Sequence, residues 1–366
     1  MLVMQKQDIF HKIFSFIFIV SLVFFANDVG NTATTLQSEN SQEFLFQNKK
    51  GLDHFIQKMV SKHQFSEAQL KSWFKQITPN TTVIALMNRQ AEDLPWHAYQ
   101  ALVLNDNRIK QGILFWQTHE QTIEKVAKTF GIEPEIIVAI LGLESSYGKI
   151  TGNFSVFEAL STLAFEYPRR ADFFEKELTH YLLLTREEGF DPLSIKGSYA
   201  GAMGPAQFMP SSYRQYAVNV NQDGNRDILT NIPNILGSIA HYFRSHGWQS
   251  GAPVAYSAQV SNDGTQSFQS VKKPSISGPN TVEKWHQQGI TLVKPGLATK
   301  QAPNTLTKLL TLEGKNKAEH WMTYPNFDVI KRYNQSNHYA MAVYLLGEQI
   351  KAGKIASTKN MEKSES

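Results

Sequence analysis

Apolar and aromatic residues recur three and four positions apart between residues 43 and 127, as in Phe44-Leu45, Leu52, Phe55-Ile56 and Val60, the spacing of one buried helix face. Ser66 ahead of Leu70, Trp73 and Phe74 reads as a capped amphipathic helix. Pro134, placed for a first helical turn, opens a different pattern: residues 136–143 are all apolar or small, without alternation, and the run ends on Glu144. A helix with no polar stripe is buried on most sides. Helical patterns continue through 155–190 and 232–246, separated by a glycine-rich segment at 197–205. From about 250 to 319 the texture shifts to Gly, Pro, Ser, Thr and Val, with short runs such as Gly289-Ile290-Thr291-Leu292-Val293, which predicts short strands. Helix returns at 336–352, so the last helix is expected to pack on the domain that the β segment interrupts. The polar residues 354–366 read as a frayed, flexible tail.

Residues 13–26, behind Lys6 and Lys12, are apolar apart from Ser15 and Ser21. That run is short for a membrane span and fits the apolar region of a secretory signal. Residues 1–33 are therefore expected to direct the folded part out of the cytoplasm, either cut near 26–33 or kept as an anchor through 13–26. Composition adds exclusions. Of the 366 residues, 42% are hydrophobic and 19% charged, too apolar for a disordered chain. The net charge of +4 is scattered and not blocked, so no nucleic-acid partner is expected. The absence of cysteine excludes disulfides, thiolate zinc sites, thiol nucleophiles and a lipoprotein anchor.

Glu144 is the residue whose context points to chemistry. A carboxylate that closes an apolar helix is desolvated, which raises its pKa and suits it to donate a proton to a leaving oxygen. The other reading is a helix-terminal Glu satisfied by a nearby Arg or backbone N–H. The following residues, 145–152, offer hydroxyls, an aromatic ring at Tyr147 and turn glycines able to line a cleft.

Gly142-Leu143-Glu144-Ser145-Ser146-Tyr147-Gly148, followed by Gly152, resembles the catalytic motif of lytic murein transglycosylases. The stretch from Gly197 through Ser198, Gly204-Pro205-Ala206-Gln207 and Tyr213 resembles the membrane-bound B family in particular. Arg332-Tyr333-Asn334 and His338-Tyr339-Ala340-Met341-Ala342-Val343 match its C-terminal signature. The resemblance runs from about residue 53 to 347.

It implies a mainly α fold: a lysozyme-like helical core with an additional α domain and a small β-rich inserted domain. The expected limits are 41–125 for the α domain, 126–246 completed by 323–352 for the catalytic core, and 247–322 for the β-rich part. It implies cleavage of the β-1,4 bond between N-acetylmuramic acid and N-acetylglucosamine in peptidoglycan, leaving 1,6-anhydromuramic acid, with Glu144 as general acid and then base. Most glycosidases use two carboxylates, so a single-Glu enzyme needs another way to stabilise positive charge, for which the substrate's N-acetyl group is the usual candidate. By resemblance, Ser198 faces the sugar, Gln207 hydrogen-bonds substrate, and Tyr99, Tyr242, Tyr333 and Tyr339 are cleft tyrosines. Arg169 and Arg170 match a pair contacting the muramyl peptide. Taken singly, tyrosines are more often core, and an Arg pair is more often solvated surface. The partners implied are glycan strands, and the enzyme is expected to be a monomer in the periplasm of a Gram-negative bacterium.

No cofactor is required by the resemblance. Asn219, Asn221, Asp223, Asn225 and Asp227, with Gly224, follow the spacing of an EF-hand-like calcium loop, but Asn219 opens it and Thr230 stands where a bidentate Glu belongs. A weak, partly filled or empty calcium site is expected. Three competing readings are a lysozyme-type hydrolase, a non-catalytic peptidoglycan-binding scaffold, and a calcium-sensing adaptor resting on this loop alone.

Overall fold

A computed structural model describes residues 45–88, 94–224, 226–261, 275–293 and 304–364, with side chains as far as residue 358. The expected signal segment, 1–33, lies outside the described residues.

The chain begins with helices α1 (Lys49–His63), α2 (Glu67–Lys75), α3 (Thr81–Asn88), α4 (Trp96–Val103), α5 (Asp106–Thr118) and α6 (Glu120–Phe130). Their limits follow local chemistry. The Asn48 side chain accepts from the Gly51 N–H to start α1, Ser66 caps α2 through the Gln69 N–H, and left-handed Gly131 ends α6. In α1 the buried residues Leu52, Phe55, Ile56 and Met59 keep the spacing legible in sequence.

Next come α7 (Pro134–Ser145), a two-residue strand β1 (Phe154–Ser155), α8 (Val156–Glu166), α9 (Ala171–Glu188), β2 (Lys196–Gly197), α10 (Pro210–Tyr216) and α11 (Ile232–Ser245). The chain then leaves the helices for β3 (Ala255–Val260), β4 (Ser275–Thr281), α12 (Val282–Gln287), β5 (Ile290–Leu292), β6 (Leu306–Leu312) and β7 (Glu319–Thr323), returning as α13 (Pro325–Tyr333) and α14 (Asn337–Ser364). The molecule is thus mostly helical with a small antiparallel sheet, ordered β4-β6-β7-β3-β5.

Helix α7 is the centre of the packing. Helices α5, α6, α11 and α14 all rest on it, which is why its apolar residues need no polar face: Ile136 to Gly142 are all buried. The N-terminal helices join the same core through an aromatic cluster, with Phe74 4.9 Å from Phe157 and Phe46 5.6 Å from Phe165. A second, smaller core lies under the sheet, where Trp285, Ile290, Leu292, Leu309 and Met322 pack together. The Trp285 indole N–H donates to the Thr307 hydroxyl at 3.1 Å there.

The end of the chain differs from the sequence reading. In place of a frayed tail from residue 354, α14 continues to Ser364. Lys354 pairs with Glu120 at 2.5 Å and lies 5.1 Å from the Trp116 ring. Ala356, Lys359, Met361, Glu362 and Lys363 beyond it are good helix formers that help extend an anchored helix at little cost.

Candidate active site

Glu144 sits in the last turn of α7, 1% exposed. The chain turns sharply after it, because Ser146, Tyr147 and Gly148 take φ of 50°, 62° and 86° in succession. Such a run costs energy for the two non-glycine residues, and hydrogen bonds hold it in place. The Tyr147 N–H donates to the Leu141 carbonyl at 3.1 Å, the Ser145 hydroxyl accepts from the Gly148 N–H at 2.9 Å, and the Tyr147 hydroxyl donates to the Arg108 carbonyl at 2.8 Å. Tyr147 is consequently not a cleft wall, as sequence alone reads it. Its ring folds back over Gly142, where an added Cβ would meet it at 2.6 Å.

The two carboxyl oxygens of Glu144 have different surroundings. Oε1 accepts a hydrogen bond from the Tyr339 hydroxyl on α14, whereas Oε2 is buried and has no hydrogen-bond partner among the described residues. Burial pushes the carboxyl well above the usual carboxylate range, and the Tyr339 hydrogen bond opposes this without cancelling it. Among the described residues no arginine or backbone N–H satisfies the group, as the alternative reading of a helix-terminal Glu requires. Tyr99, Tyr333 and Tyr339 all feel its charge, and burial raises each of their pKa values.

The tyrosines divide by what their hydroxyls do. Tyr333 donates to the Ala206 carbonyl and Tyr242 to the Arg332 carbonyl, each at 2.6 Å. Their rings lie 4.9 Å apart and each 5.8 Å from Phe208. These two therefore tie α11 and α13 to the glycine-rich segment. Tyr99 packs between Trp96, at 6.2 Å, and His338, at 5.6 Å.

The glycine-rich segment is a tight loop. The Ser198 hydroxyl oxygen accepts from the Ala202 N–H at 3.0 Å and the Ala200 N–H at 3.3 Å, which fixes its position and leaves its own proton to donate. Both amide protons of Gln207 are committed, to the carbonyls of Thr151 at 3.0 Å and Gly204 at 2.9 Å, so only its carbonyl oxygen remains for a ligand. Gln207 thereby locks the loop after Glu144 onto the loop that carries Ser198.

Arg169 is exposed, while Arg170 is half-buried with its guanidinium 4.4 Å from the Phe173 ring and 5.2 Å from that of Phe174. The nitrogens of Arg170 are buried without hydrogen-bond partners among the described residues, and burial lowers its pKa. Glu177, which the sequence did not single out, is a neighbouring charge. Its buried carboxylate accepts from the Ser211 N–H at 3.0 Å and the Ser211 hydroxyl at 2.7 Å, at the start of α10, where a negative group is favoured. Trp96 was also missed. Its indole N–H donates to Glu319 at 3.1 Å and ties α4 to β7. Neither residue carries a local sequence signal, since each partner is far along the chain.

The calcium-loop residues fit a cation poorly. Asp227 turns its carboxylate to the N–H groups of Leu229 and Thr230, at 2.6 and 3.2 Å, and to the Thr230 hydroxyl. The Asn219 side chain accepts from the Asp223 N–H at 3.3 Å. Asn234 accepts from the Val220 N–H at 2.9 Å, so an amide bridges the loop and α11. Asn225 lies outside the described residues, among which no group of three His, Cys, Asp or Glu is arranged to hold a metal.

Residues 47–348 match the family described as the transglycosylase SLT domain. The chain is 36% identical over 320 residues, 85% of each chain, to membrane-bound lytic murein transglycosylase B of Escherichia coli K12. Several solved structures are similar, two of which illustrate the match. One is the Escherichia coli lytic transglycosylase Slt35 in complex with calcium, with a TM-score of 0.74, 36% identity, and coverage of 84% of this chain and 95% of that one. The other is SltB3 from Pseudomonas aeruginosa in complex with NAG-anhNAM-pentapeptide, with a TM-score of 0.72, 28% identity, and coverage of 83% and 79%.

Proposed function

Since the chain belongs to the transglycosylase SLT domain family and is a lytic murein transglycosylase, we propose that Glu144 alone supplies the acid and the base of its reaction. The observation that carries this is the asymmetry of its carboxyl group, one oxygen held by Tyr339 and the other buried and unpartnered. The raised pKa favours the protonated form of the group. Oε2 gives that proton to the bridging oxygen as the bond from the muramic acid C1 breaks. The positive charge at C1 is then taken up by the substrate's N-acetyl oxygen, with the Ser198 hydroxyl positioning that acetamido group. In the second half the 6-hydroxyl of the same sugar attacks C1, and its proton returns to Glu144. The acid is regenerated and no water is consumed. A site that buries its carboxyl so fully favours an internal hydroxyl over solvent.

Tyr99 offers a face to the sugar's C–H surface, and Arg170 offers an uncommitted guanidinium to a peptide carboxylate. Tyr242, Tyr333 and Gln207 hold the surrounding segments in position. The substrate is the glycan strand, handled by a monomer. Residues 1–33 carry the chain to the periplasm, and 13–26 either leave with the signal or tether the enzyme. The helices before α7 form an additional domain, and the sheet between α11 and α13 an inserted one. Mass spectrometry of fragments released from purified murein tests the reaction: anhydromuramyl ends are expected, and reducing muramic ends would replace this reading with hydrolysis.

Two further outcomes follow. The Tyr339 hydrogen bond stabilises the charged carboxylate, so Tyr339→Phe should raise the Glu144 pKa further and move the alkaline limb of the activity profile to higher pH; an unmoved limb would detach Tyr339 from the acid. The cation loop should bind calcium weakly. With amides in place of carboxylates, the melting temperature should be the same in chelator and in micromolar calcium and rise only at millimolar concentrations, on the order of the weakest EF-hand-type sites.

A further inference from the structure

Helix α4 begins without a cap of its own. Pro95 precedes it and no side chain caps its first turn, so the opening N–H groups need partners from elsewhere. One comes from the inserted sheet. The His97 N–H donates to the Glu313 carbonyl at 3.2 Å, in the turn between β6 and β7. The second tie is the Trp96 indole N–H, which donates to the Glu319 carboxylate at 3.1 Å. Trp96 is fully buried, where an indole N–H left without a partner is costly. Glu319 thereby fixes the position of the Trp96 ring as well as the start of α4.

That ring packs on Tyr99, three residues further along the same helix. The rings of Trp96, Tyr99 and His338 are in mutual contact, with centroids 6.2 Å apart for Trp96 and Tyr99 and 5.6 Å from His338 to each. The other three tyrosines of the resemblance are held by their hydroxyls: Tyr333 on the Ala206 carbonyl, Tyr242 on the Arg332 carbonyl and Tyr339 on Glu144. Tyr99 is held differently. Among the described residues its hydroxyl meets no hydrogen-bond partner, although it lies near enough to Glu144 to feel its charge. The place of Tyr99 beside the reaction centre is therefore set through its ring.

We propose that Glu319 is a positioning residue for the reaction: from the inserted sheet it fixes Trp96, and through Trp96 the Tyr99 ring on which a sugar of the glycan strand stacks. The inference rests on the reading of Tyr99 as a sugar contact. It gives the inserted sheet a part in substrate binding.

Steady-state kinetics of E319A, E319Q and Y99A on solubilised glycan strands test this. In E319A the indole loses its acceptor, and a Tyr99 face displaced from the sugar should raise KM about fivefold with kcat close to wild type. E319Q should recover most of the loss, because its amide carbonyl still accepts from the indole. In Y99A the contact is already gone, so adding E319A should leave KM where Y99A alone puts it. A tie that only stabilises the fold would lower the active fraction, and so kcat, and leave KM alone. That pattern would overturn the proposal, as would an equal loss in E319Q or an E319A effect undiminished in the Y99A background. Y99A with a wild-type KM would overturn the sugar contact and the proposal together. Wild type that releases no anhydromuramyl ends would instead overturn the reaction, so the failures are distinguishable.

Discussion

Replacing Glu144 by Gln is expected to lower transglycosylase turnover by about a thousandfold or more, since general acid–base catalysis contributes roughly 10²–10⁴ and in the proposed mechanism one group serves both halves of the reaction. Glutamine keeps the shape and still accepts the Tyr339 hydrogen bond, but it carries no titratable proton. The same variant should be no less stable at neutral pH. Folding raises the pKa of Glu144, so between its unfolded and folded values the native state binds more protons than the unfolded state, and wild-type stability falls as pH rises through that window. E144Q lacks this dependence. Its melting temperature relative to wild type should be highest near neutrality and should decline as pH drops into the ordinary carboxylate range. A variant that retains activity, or whose relative stability is flat with pH, would contradict a buried neutral acid.

Gly152→Ala should be the most damaging of the small substitutions. Gly152 has φ +96°, and a Cβ there would stand 2.1 Å from the Gly197 carbonyl oxygen, a backbone atom with little room to retreat. Backbone strain of about 1–3 kcal/mol adds to an overpacking cost of about 1–3 kcal/mol. Together these should lower the melting temperature by roughly 5–10 °C. The β1–β2 pairing, Phe154 with Gly197 and Ser155 with Lys196, holds the loop of Ser198 against the turn that follows Glu144, so activity should fall with stability. Gly247→Ala is the matched control: its φ is +86°, but nothing lies within 4 Å of the added carbon. Its cost should stay near 1 kcal/mol with activity retained.

Much of this was legible in the chain. The unbroken apolar run before Glu144 marks a helix covered on most sides, and α7 is one because four helices pack on it. The shift to short strands after residue 250 is equally plain, since Gly, Pro and β-branched residues resist helix. What could not be read is how distant groups divide the work. Tyr147 reads as cleft lining because it follows the acid, yet two left-handed residues reverse the chain and turn its ring inward. Gln207 reads as a substrate contact, yet both its amide protons close a loop. Glu177 shows no motif because its partner, Ser211, is 34 residues away. Periodicity reports which face is buried and says nothing of which hydroxyl meets which carbonyl.

The hydroxyl that reaches Glu144 comes from α14, 195 residues later in the chain and after the whole sheet has been made. Closing a loop that long costs chain entropy before the contact rewards it. The pairing of Glu144 with Tyr339 is therefore complete only when the carboxy-terminal segment has docked, and a clipped chain would keep the motif and lose the hydroxyl that meets it.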